Sequence, residues 1–102
     1  MVGDRDLRLP KEYYSAMRAR KVVDKVWAAA AAAGHGKIFV DEVGDAVNDD
    51  HVRLLNIGVP CIDIIDFDYA YWHTLKDTPD KCSAASLQAV GDTLVRLIWT
   101  ES

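Results

Sequence analysis

The stretch KVVDKVWAAAAAAGHGKIFV, residues 21–40, decides the fold because it joins a helix to a strand. Apolar side chains recur at helical spacing in its first part and form one face, which consists of Val22, Val23, Val26, Trp27 and Ala30. Ser15 is the predicted N-cap of this helix, and Gly34 is its predicted end. The apolar residues 37–40 predict a short strand. A strand that directly follows a helix is typical of α/β proteins.

Elements on both sides of this stretch continue the alternation of strands and helices. Residues 6–9 alternate polar and apolar side chains and predict an edge strand, because a proline follows them. Residues 50–56 predict a short helix. Residues 61–67, an apolar run broken only by Asp63 and Asp66, predict a strand buried on both faces. A last helix begins near Ser83. The sequence therefore predicts an α/β domain with a mostly parallel sheet and flanking helices.

Length and charge exclude several classes of function. The chain has 102 residues and a net charge of −4, which suits one domain with a core and lacks the clustered Lys and Arg that nucleic acid requires. No apolar run approaches the ~20 residues of a membrane helix, and the N-terminus is charged. We therefore expect no membrane span, no signal peptide and a cytoplasmic location. Cys61 and Cys82 are too few for a disulfide framework and are expected to be reduced thiols.

Ionisable residues collect in the two loops that follow predicted strands. The carboxyl ends of parallel strands border the functional crevice of an open sheet, so a site is expected in these loops. The first loop offers Asn48, Asp49, Asp50 and His51, and the second offers Asp66, Asp68, Tyr69, Tyr71, Trp72, His73 and Asp77. Carboxylates and imidazoles on neighbouring strand ends can form a metal site or an acid–base pair.

Several of these residues also have a structural interpretation. Asp49 or Asp50 can cap the short helix that begins beside them. His51, in the first turn of that helix, is expected to be exposed or packed rather than catalytic. Asp63 lies inside an apolar run and must be paired or hydrogen-bonded, because a buried ionised carboxylate is costly. A structural pairing and a role in a site both remain open for it.

Residues 49–98, DDHVRLLNIGVPCIDIIDFDYAYWHTLKDTPDKCSAASLQAVGDTLVRLI, carry more specific motifs. The ordered series of D-D-H, a short helix, G-V-P and W-H-T-L-K-D-T resembles the C-terminal end of the zinc-dependent M28 aminopeptidases and the related glutaminyl cyclases. The opening MVGDRDLRLPKE is similar to the family's segment after an inner strand, so the resemblance covers nearly the whole chain. It implies the C-terminal portion of that α/β fold.

The resemblance implies roles for individual residues. His73 of W-H-T matches the family's last zinc ligand, and Trp72 matches an aromatic residue that lines the cyclase substrate pocket. Asp49 matches a carboxylate in the cyclase's active-site hydrogen-bond network and is the predicted catalytic residue. Asp63 lies where animal cyclases have a histidine, which leaves its role open.

The resemblance also implies what the chain lacks. The family's other zinc ligands and its general acid–base glutamate lie upstream of the matched region, so residues 1–102 are expected to form a single truncated domain that is inactive alone and binds zinc poorly. The parent activity is cyclisation of an N-terminal glutamine or aminopeptidase hydrolysis, and D-D-H together with W-H-T favours the cyclase. The alternative is a non-catalytic, self-associating module. A homo-oligomer, most simply a dimer through the first helix or residues 6–9, is expected to cover surface that the missing part would cover.

Overall fold

The computed structural model describes residues 2–3, 5–66 and 83–100, with the backbone alone at Thr100. Its strands and helices occur in the order β1 (Leu9–Lys11), α1 (Tyr13–Arg18), α2 (Arg20–Ala32), β2 (Phe39–Val43), α3 (Asp50–Asn56) and α4 (Ala84–Thr100). This alternation confirms the predicted α/β class. No helix within the described ranges combines the length and the apolar character needed to cross a membrane.

The sheet of the described residues consists of β1 and β2, which pair in parallel. Leu9 lies opposite Phe39 and Lys11 lies opposite Val43, with a register shift between the two pairs. Parallel neighbours need a crossover connection, and α1 and α2 provide it. The predicted parallel pairing is therefore confirmed for these two strands.

The core lies where α2 packs between the sheet and α4. Its buried side chains are Leu7, Leu9, Val23, Val26, Trp27, Ala30, Phe39 and Val90. Trp27 meets Phe39 edge to face at 5.2 Å between ring centres, and its indole N–H donates to the Val40 carbonyl at 2.9 Å. The helical face that the sequence predicted is thus the face that α2 buries, with Val22 at its half-buried margin.

The first predicted helix is two helices, and its predicted N-cap is wrong. Helix α1 begins at Tyr13 and is capped by Glu12, whose carboxylate accepts the backbone N–H groups of Tyr14 and Ser15. The helical path breaks at Ala19, where φ is −136° and ψ is 44°, and α2 follows. The end of α2 is as predicted, because Gly34 follows it with φ of +87°, a conformation that favours glycine.

The strand boundaries differ from the prediction, and the expected buried strand at residues 61–67 is wrong. β1 and β2 each lie a few residues later than the predicted 6–9 and 37–40. Residues 61–66 form no strand, and residues 61–65 are only half-buried. A strand is defined by its neighbours, and no partner strand in the described ranges pairs with this segment. It is tied instead by single contacts, such as the Arg8 N–H donated to Asp66 Oδ2 at 3.2 Å.

The two later helices confirm their predictions. Helix α3 has the predicted bounds, and Gly58 follows it with φ of +87°. Helix α4 begins after Ser83, whose carbonyl accepts the Leu87 N–H at 3.2 Å. The fold therefore brings the start of α1, the start of α3 and residues 61–66 together, and the site lies where they meet.

Candidate active site

Glu12 is the centre of a buried cluster of ionisable side chains. Its side chain is only 1% exposed. Oε1 accepts the Ser15 N–H at 2.8 Å and the Ser15 hydroxyl at 2.7 Å, and Oε2 accepts the N–H groups of Tyr14 and Val47, both at 2.9 Å. All four of these groups donate hydrogen bonds, so Glu12 is held as the ionised carboxylate.

The hydrogen bonds decide the charge of Glu12. Burial alone would raise the pKa of Glu12, but the bonds from Val47, Ser15 and Tyr14 outweigh burial and hold the pKa below its usual value. Sequence reasoning missed this residue because Glu is not a preferred N-cap. Its position just before the helical pattern was the only signal, since acids are stabilising near a helix start.

His51 joins Glu12 to the start of α3. Its side chain is 5% exposed, and Nε2 lies 2.7 Å from Glu12 Oε1. The other ring nitrogen, Nδ1, lies 3.8 Å from Asp63 Oδ2. Both of these atoms are buried and have no hydrogen-bond partner within the described residues. The exposed alternative for His51 is therefore wrong, because the ring is packed between two carboxyl groups.

Asp63 forms a carboxyl pair with Asp49. The Asp63 side chain is 15% exposed, and it hydrogen-bonds the Asp49 carboxyl group. Burial first, and then the charge and hydrogen bond of Asp49 and the charge of Glu12, raise the pKa of Asp63 to about 6, although His51 acts in the opposite direction. The predicted hydrogen bonding of Asp63 is confirmed, and its carboxyl group can hold or release a proton near neutral pH.

Asp49 has the capping role that the sequence allowed, and it also belongs to the carboxyl pair. It is the N-cap of α3, where its Oδ1 accepts the Asp50 N–H at 2.8 Å, and it also bonds Asp63. Asp49 is exposed, so it is the end of the cluster that solvent reaches.

Ser15 and Cys61 brace the cluster through the backbone. The Ser15 hydroxyl donates to Glu12 and accepts the Asp63 N–H at 2.9 Å, so the predicted cap residue instead links two acids. The Cys61 thiol donates to the His51 carbonyl at 3.3 Å. Ser15 therefore holds the backbone of Asp63 in place, and Cys61 holds the backbone of His51.

The remaining predicted site residues lie outside the described ranges. These are Asp68, Tyr69, Tyr71, Trp72, His73 and Asp77. Within residues 2–3, 5–66 and 83–100 no three His, Cys, Asp or Glu side chains are arranged to hold a metal ion. The described cluster therefore does not fit zinc, and we derive no chemistry of its residues through a metal.

Two clefts of about 170 and 340 Å³ lie elsewhere, between α2 and the sheet. Both are lined by Lys11, Asp24 and Asp41, and neither includes a member of the cluster. The candidate site is therefore defined by its buried acids and imidazole rather than by a described cleft.

The profile of Peptidase family M28 matches residues 2–98, nearly the whole chain. The chain belongs to peptidase family M28. The resemblance inferred from the D-D-H and W-H-T motifs is thereby confirmed. No curated protein matches this M28 chain.

The M28 chain is similar to solved structures of two kinds of enzyme. It is similar to the Porphyromonas gingivalis glutaminyl cyclase at 35% identity and a TM-score of 0.94, covering 100% of this chain and 40% of that one. It is similar to a leucine aminopeptidase precursor from Bacteroides thetaiotaomicron at 40% identity and a TM-score of 0.92, covering 100% of this chain and 36% of that one. A Zn-dependent exopeptidase from Parabacteroides distasonis is 36% identical with a TM-score of 0.91, over 96% of this chain and 36% of that one.

These likenesses confirm that the M28 chain has a partial form of the family fold, and that its family includes zinc enzymes. The chain spans well under half the length of each of these relatives. Cyclases and peptidases match it about equally well, so the comparisons assign the family and not one of its activities.

Proposed function

We propose that this chain is the C-terminal portion of an M28-type active site, and that it supplies an acid pair to chemistry completed by residues it does not contain. The Asp49–Asp63 pair carries this proposal, because a carboxyl group with a pKa of about 6 is suited to proton transfer near neutral pH. The likeness to glutaminyl cyclase over the full length of this chain supports it. The chain alone is expected to be inactive.

In the complete site this acid pair would serve the cyclisation of an N-terminal glutamine. The α-amino nitrogen bonds to the side-chain amide carbon, the bond from that carbon to the amide nitrogen breaks, and ammonia leaves after one proton passes from the α-amine to the departing nitrogen. Asp49, at the exposed end of the pair, is the residue proposed to hold that proton. Aminopeptidase hydrolysis would use the same acid pair with water as the nucleophile.

The proposal assigns Trp72 to the wall of the substrate pocket and His73 to zinc binding. When bound, zinc polarises the substrate carbonyl. A catalytic zinc site usually has three protein ligands, so the other ligands must come from outside this chain.

A chimera tests the proposal. This chain would replace the matching C-terminal portion of the Porphyromonas gingivalis glutaminyl cyclase, and ammonia release from a glutaminyl peptide and hydrolysis of a leucyl anilide would be measured with zinc. We expect one of these activities in the chimera and none in the chain alone. Asp49→Asn should lower kcat by about 100-fold or more, as expected for loss of an acid–base group.

Asp50→Asn is the matched control, because Asp50 is the adjacent exposed acid and forms no carboxyl pair in the described cluster. It should retain near-full activity. An active isolated chain, or a chimera as active with Asp49→Asn as with Asp50→Asn, would refute the proposal.

A second candidate function, the self-associating module, is favoured by the outer face of α4. One side of this helix packs on α2 through buried residues such as Ala89, Val90 and Thr93. The opposite side carries an apolar stripe, defined as Leu87, Gly91, Val95, Ile98 and Trp99. The four large side chains of the stripe are between 53% and 78% exposed. A helix that is apolar on both sides is usually buried on both sides.

We propose a second copy of this chain as the occupant of the α4 stripe. The four large side chains of the stripe are each more than half exposed, and a two-fold contact would bury them on both copies at once. Gly91 favours helix-on-helix contact, because a Cβ there would touch nothing among the described residues although glycine inside a helix costs about 1 kcal/mol relative to alanine. The segment 6–9 offers less apolar surface than the sequence suggested, since Leu7 and Leu9 are buried.

Light scattering over a dilution series tests the second candidate. We expect a dimer that Ile98→Glu converts to a monomer, while Leu54→Glu leaves it intact, because Leu54 is exposed on α3 and lies outside the stripe. A folded monomer at every concentration, or loss of the dimer in both variants, would refute the interface.

A further inference from the structure

The buried side of the candidate site contains a feature that the acid pair alone does not explain. His51 Nδ1 and Asp63 Oδ2 are both buried, both lack a hydrogen-bond partner within the described residues, and lie 3.8 Å apart. Buried polar atoms without partners are rare because each has given up its hydrogen bonds to water without a replacement. A movement of about 1 Å by either side chain would bring them to hydrogen-bond distance.

Glu12 determines which ring nitrogen of His51 can exchange a proton with Asp63. Glu12 is an ionised acceptor that already receives several N–H and O–H groups, so the contact at 2.7 Å requires a proton on His51 Nε2. Nδ1 is then the only ring nitrogen that can gain or lose a proton. A carboxylate that sets the tautomer of a working imidazole is a recurrent arrangement in active sites.

We propose that Glu12 and His51 are positioning residues that form a proton path with Asp63 and Asp49, in which His51 Nδ1 exchanges a proton with Asp63 and thereby sets the protonation of the acid pair. The step is a simple transfer. The Asp63 Oδ2–H bond breaks and an Nδ1–H bond forms, so Asp63 becomes a carboxylate and His51 an imidazolium, and the reverse transfer restores both. The relevance of this path to catalysis rests on the proposed function.

The path is enclosed by a small set of titratable groups. Those that face Asp63 in the described residues are Asp49 and His51 from the start of α3 and Glu12 from the cap of α1. The imidazolium of His51 lowers the pKa of Asp63, whereas the charge of Glu12 raises it. Cys61, two residues before Asp63, bonds the His51 carbonyl rather than the ring. The two positioning residues therefore act on the acid pair with opposite signs.

Nuclear magnetic resonance of the full chain tests the path without any variant. Nitrogen-15 shifts of the His51 ring, followed from pH 4 to pH 9, should show Nε2 protonated throughout and Nδ1 as the nitrogen whose proton is exchanged. Carbon-13 shifts of the Asp63 carboxyl group should give its titration midpoint in the same samples. A neutral ring protonated at Nδ1, with a bare Nε2, would overturn the proposal.

Two variants separate positioning from simple packing. His51→Gln should raise the Asp63 midpoint by about one pH unit, because it removes a nearby positive charge. Glu12→Gln should lower the midpoint, because it removes a negative charge. His35→Gln is the control, since the His35 ring contacts Asp92 at 3.3 Å, away from the cluster, and should leave the midpoint unchanged.

The proposal stays testable even if one of the variants does not fold. If Glu12→Gln fails to fold, the ring shifts of the unchanged chain and the His51→Gln titration still decide. An Asp63 midpoint that His51→Gln leaves unchanged would refute the path. These titrations require no activity, so an inactive chimera would refute the proposed function alone, and unchanged titrations would refute the path alone.

Discussion

Asp63 favours a proton at pH values where most aspartates have lost theirs. Its carboxyl group is partly buried, pairs with another carboxyl group and lies near a third, and these surroundings raise its pKa to about 6 from the ordinary 3.8. Two carboxylates can share a hydrogen bond only when one of them is protonated. At the residue scale, the acid pair therefore holds a proton up to about pH 6, and the loss of that proton above pH 6 lowers the folding stability.

Asp63→Asn should relieve that cost at high pH. Because the pKa of Asp63 is about 6 in the folded chain against an ordinary 3.8, the folded chain keeps the proton between about pH 4 and pH 6, where the unfolded chain has lost it. The stabilising effect of that proton is fully present below about pH 4 and is lost as the pH rises through 6. Asn does not ionise, so the variant should gain stability relative to the parent between pH 4 and pH 8, by on the order of 2 kcal/mol. Urea denaturation at four pH values measures this difference.

Asp41→Asn is the control for that series. Asp41 is exposed, and its hydrogen bond and attraction to Lys11 lower its pKa, so its loss should give no gain at pH 8. A difference between Asp63→Asn and the parent that is independent of pH would contradict the raised pKa of Asp63.

The sequence indicated some members of the cluster and not others. An acid inside the apolar run 61–67 was conspicuous, and D-D-H drew attention to Asp49. Glu12 could not be predicted, because its importance depends on Val47 and His51, which are 35 and 39 residues away along the chain. The burial of His51 could not be predicted for the same reason, since a first-turn histidine is buried only if another element covers it.

At the scale of elements, Glu12 joins the starts of α1 and α3. One carboxylate caps α1, binds the loop before α3 through Val47 and binds α3 itself through His51. The main core does not join α1 to α3, because it forms between α2, α4 and the sheet, so this carboxylate provides their link.

Glu12→Ala should therefore destabilise the chain by about 3 kcal/mol or more, because it leaves the buried N–H groups of Ser15 and Val47 and the His51 ring without their acceptor, and each such loss costs about 1–3 kcal/mol. Glu42→Ala is the matched control, because Glu42 pairs with Arg8 at the surface and such pairs contribute about 0–1 kcal/mol. Chemical denaturation at pH 7 compares the two variants. Equal losses of unfolding free energy would contradict the linking role of Glu12.

Helices were predicted better than strands, for a physical reason. Periodicity, Gly34 and Ser83 are local signals, and they located the end of α2 and the start of α4. The break at Ala19 had no local signal, because alanine is the best helix former. Residues 61–66 were predicted as a strand from their apolar character, but strand pairing also requires a neighbour, which sequence periodicity does not reveal.

At the scale of the whole molecule, this chain spans 40% of the Porphyromonas gingivalis glutaminyl cyclase and 36% of the leucine aminopeptidase precursor. The described part of the cluster contains acids and an imidazole, but no arrangement of three metal ligands. The described residues thus contain the acid pair, whereas Trp72 and His73 lie outside the described ranges.

Purified chain dialysed after incubation with zinc should retain much less than one zinc per chain. The reason is that His73 is the one ligand that the family motif assigns to this chain, whereas catalytic zinc usually has three protein ligands. Elemental analysis measures the retained metal, and His73→Ala is the control, which should retain no more. One zinc per chain that His73→Ala abolishes would show that further ligands are present.

The buried carboxylate of Glu12 has a consequence for amide hydrogen exchange. Val47 lies in a segment without helix or strand, where amide protons usually exchange quickly with solvent. Its N–H is nevertheless buried and donated to Glu12 Oε2 at 2.9 Å. The Val47 amide should therefore exchange slowly, at a rate set by the separation of α1 from α3, and it would report this local opening independently of the unfolding of α2 and α4.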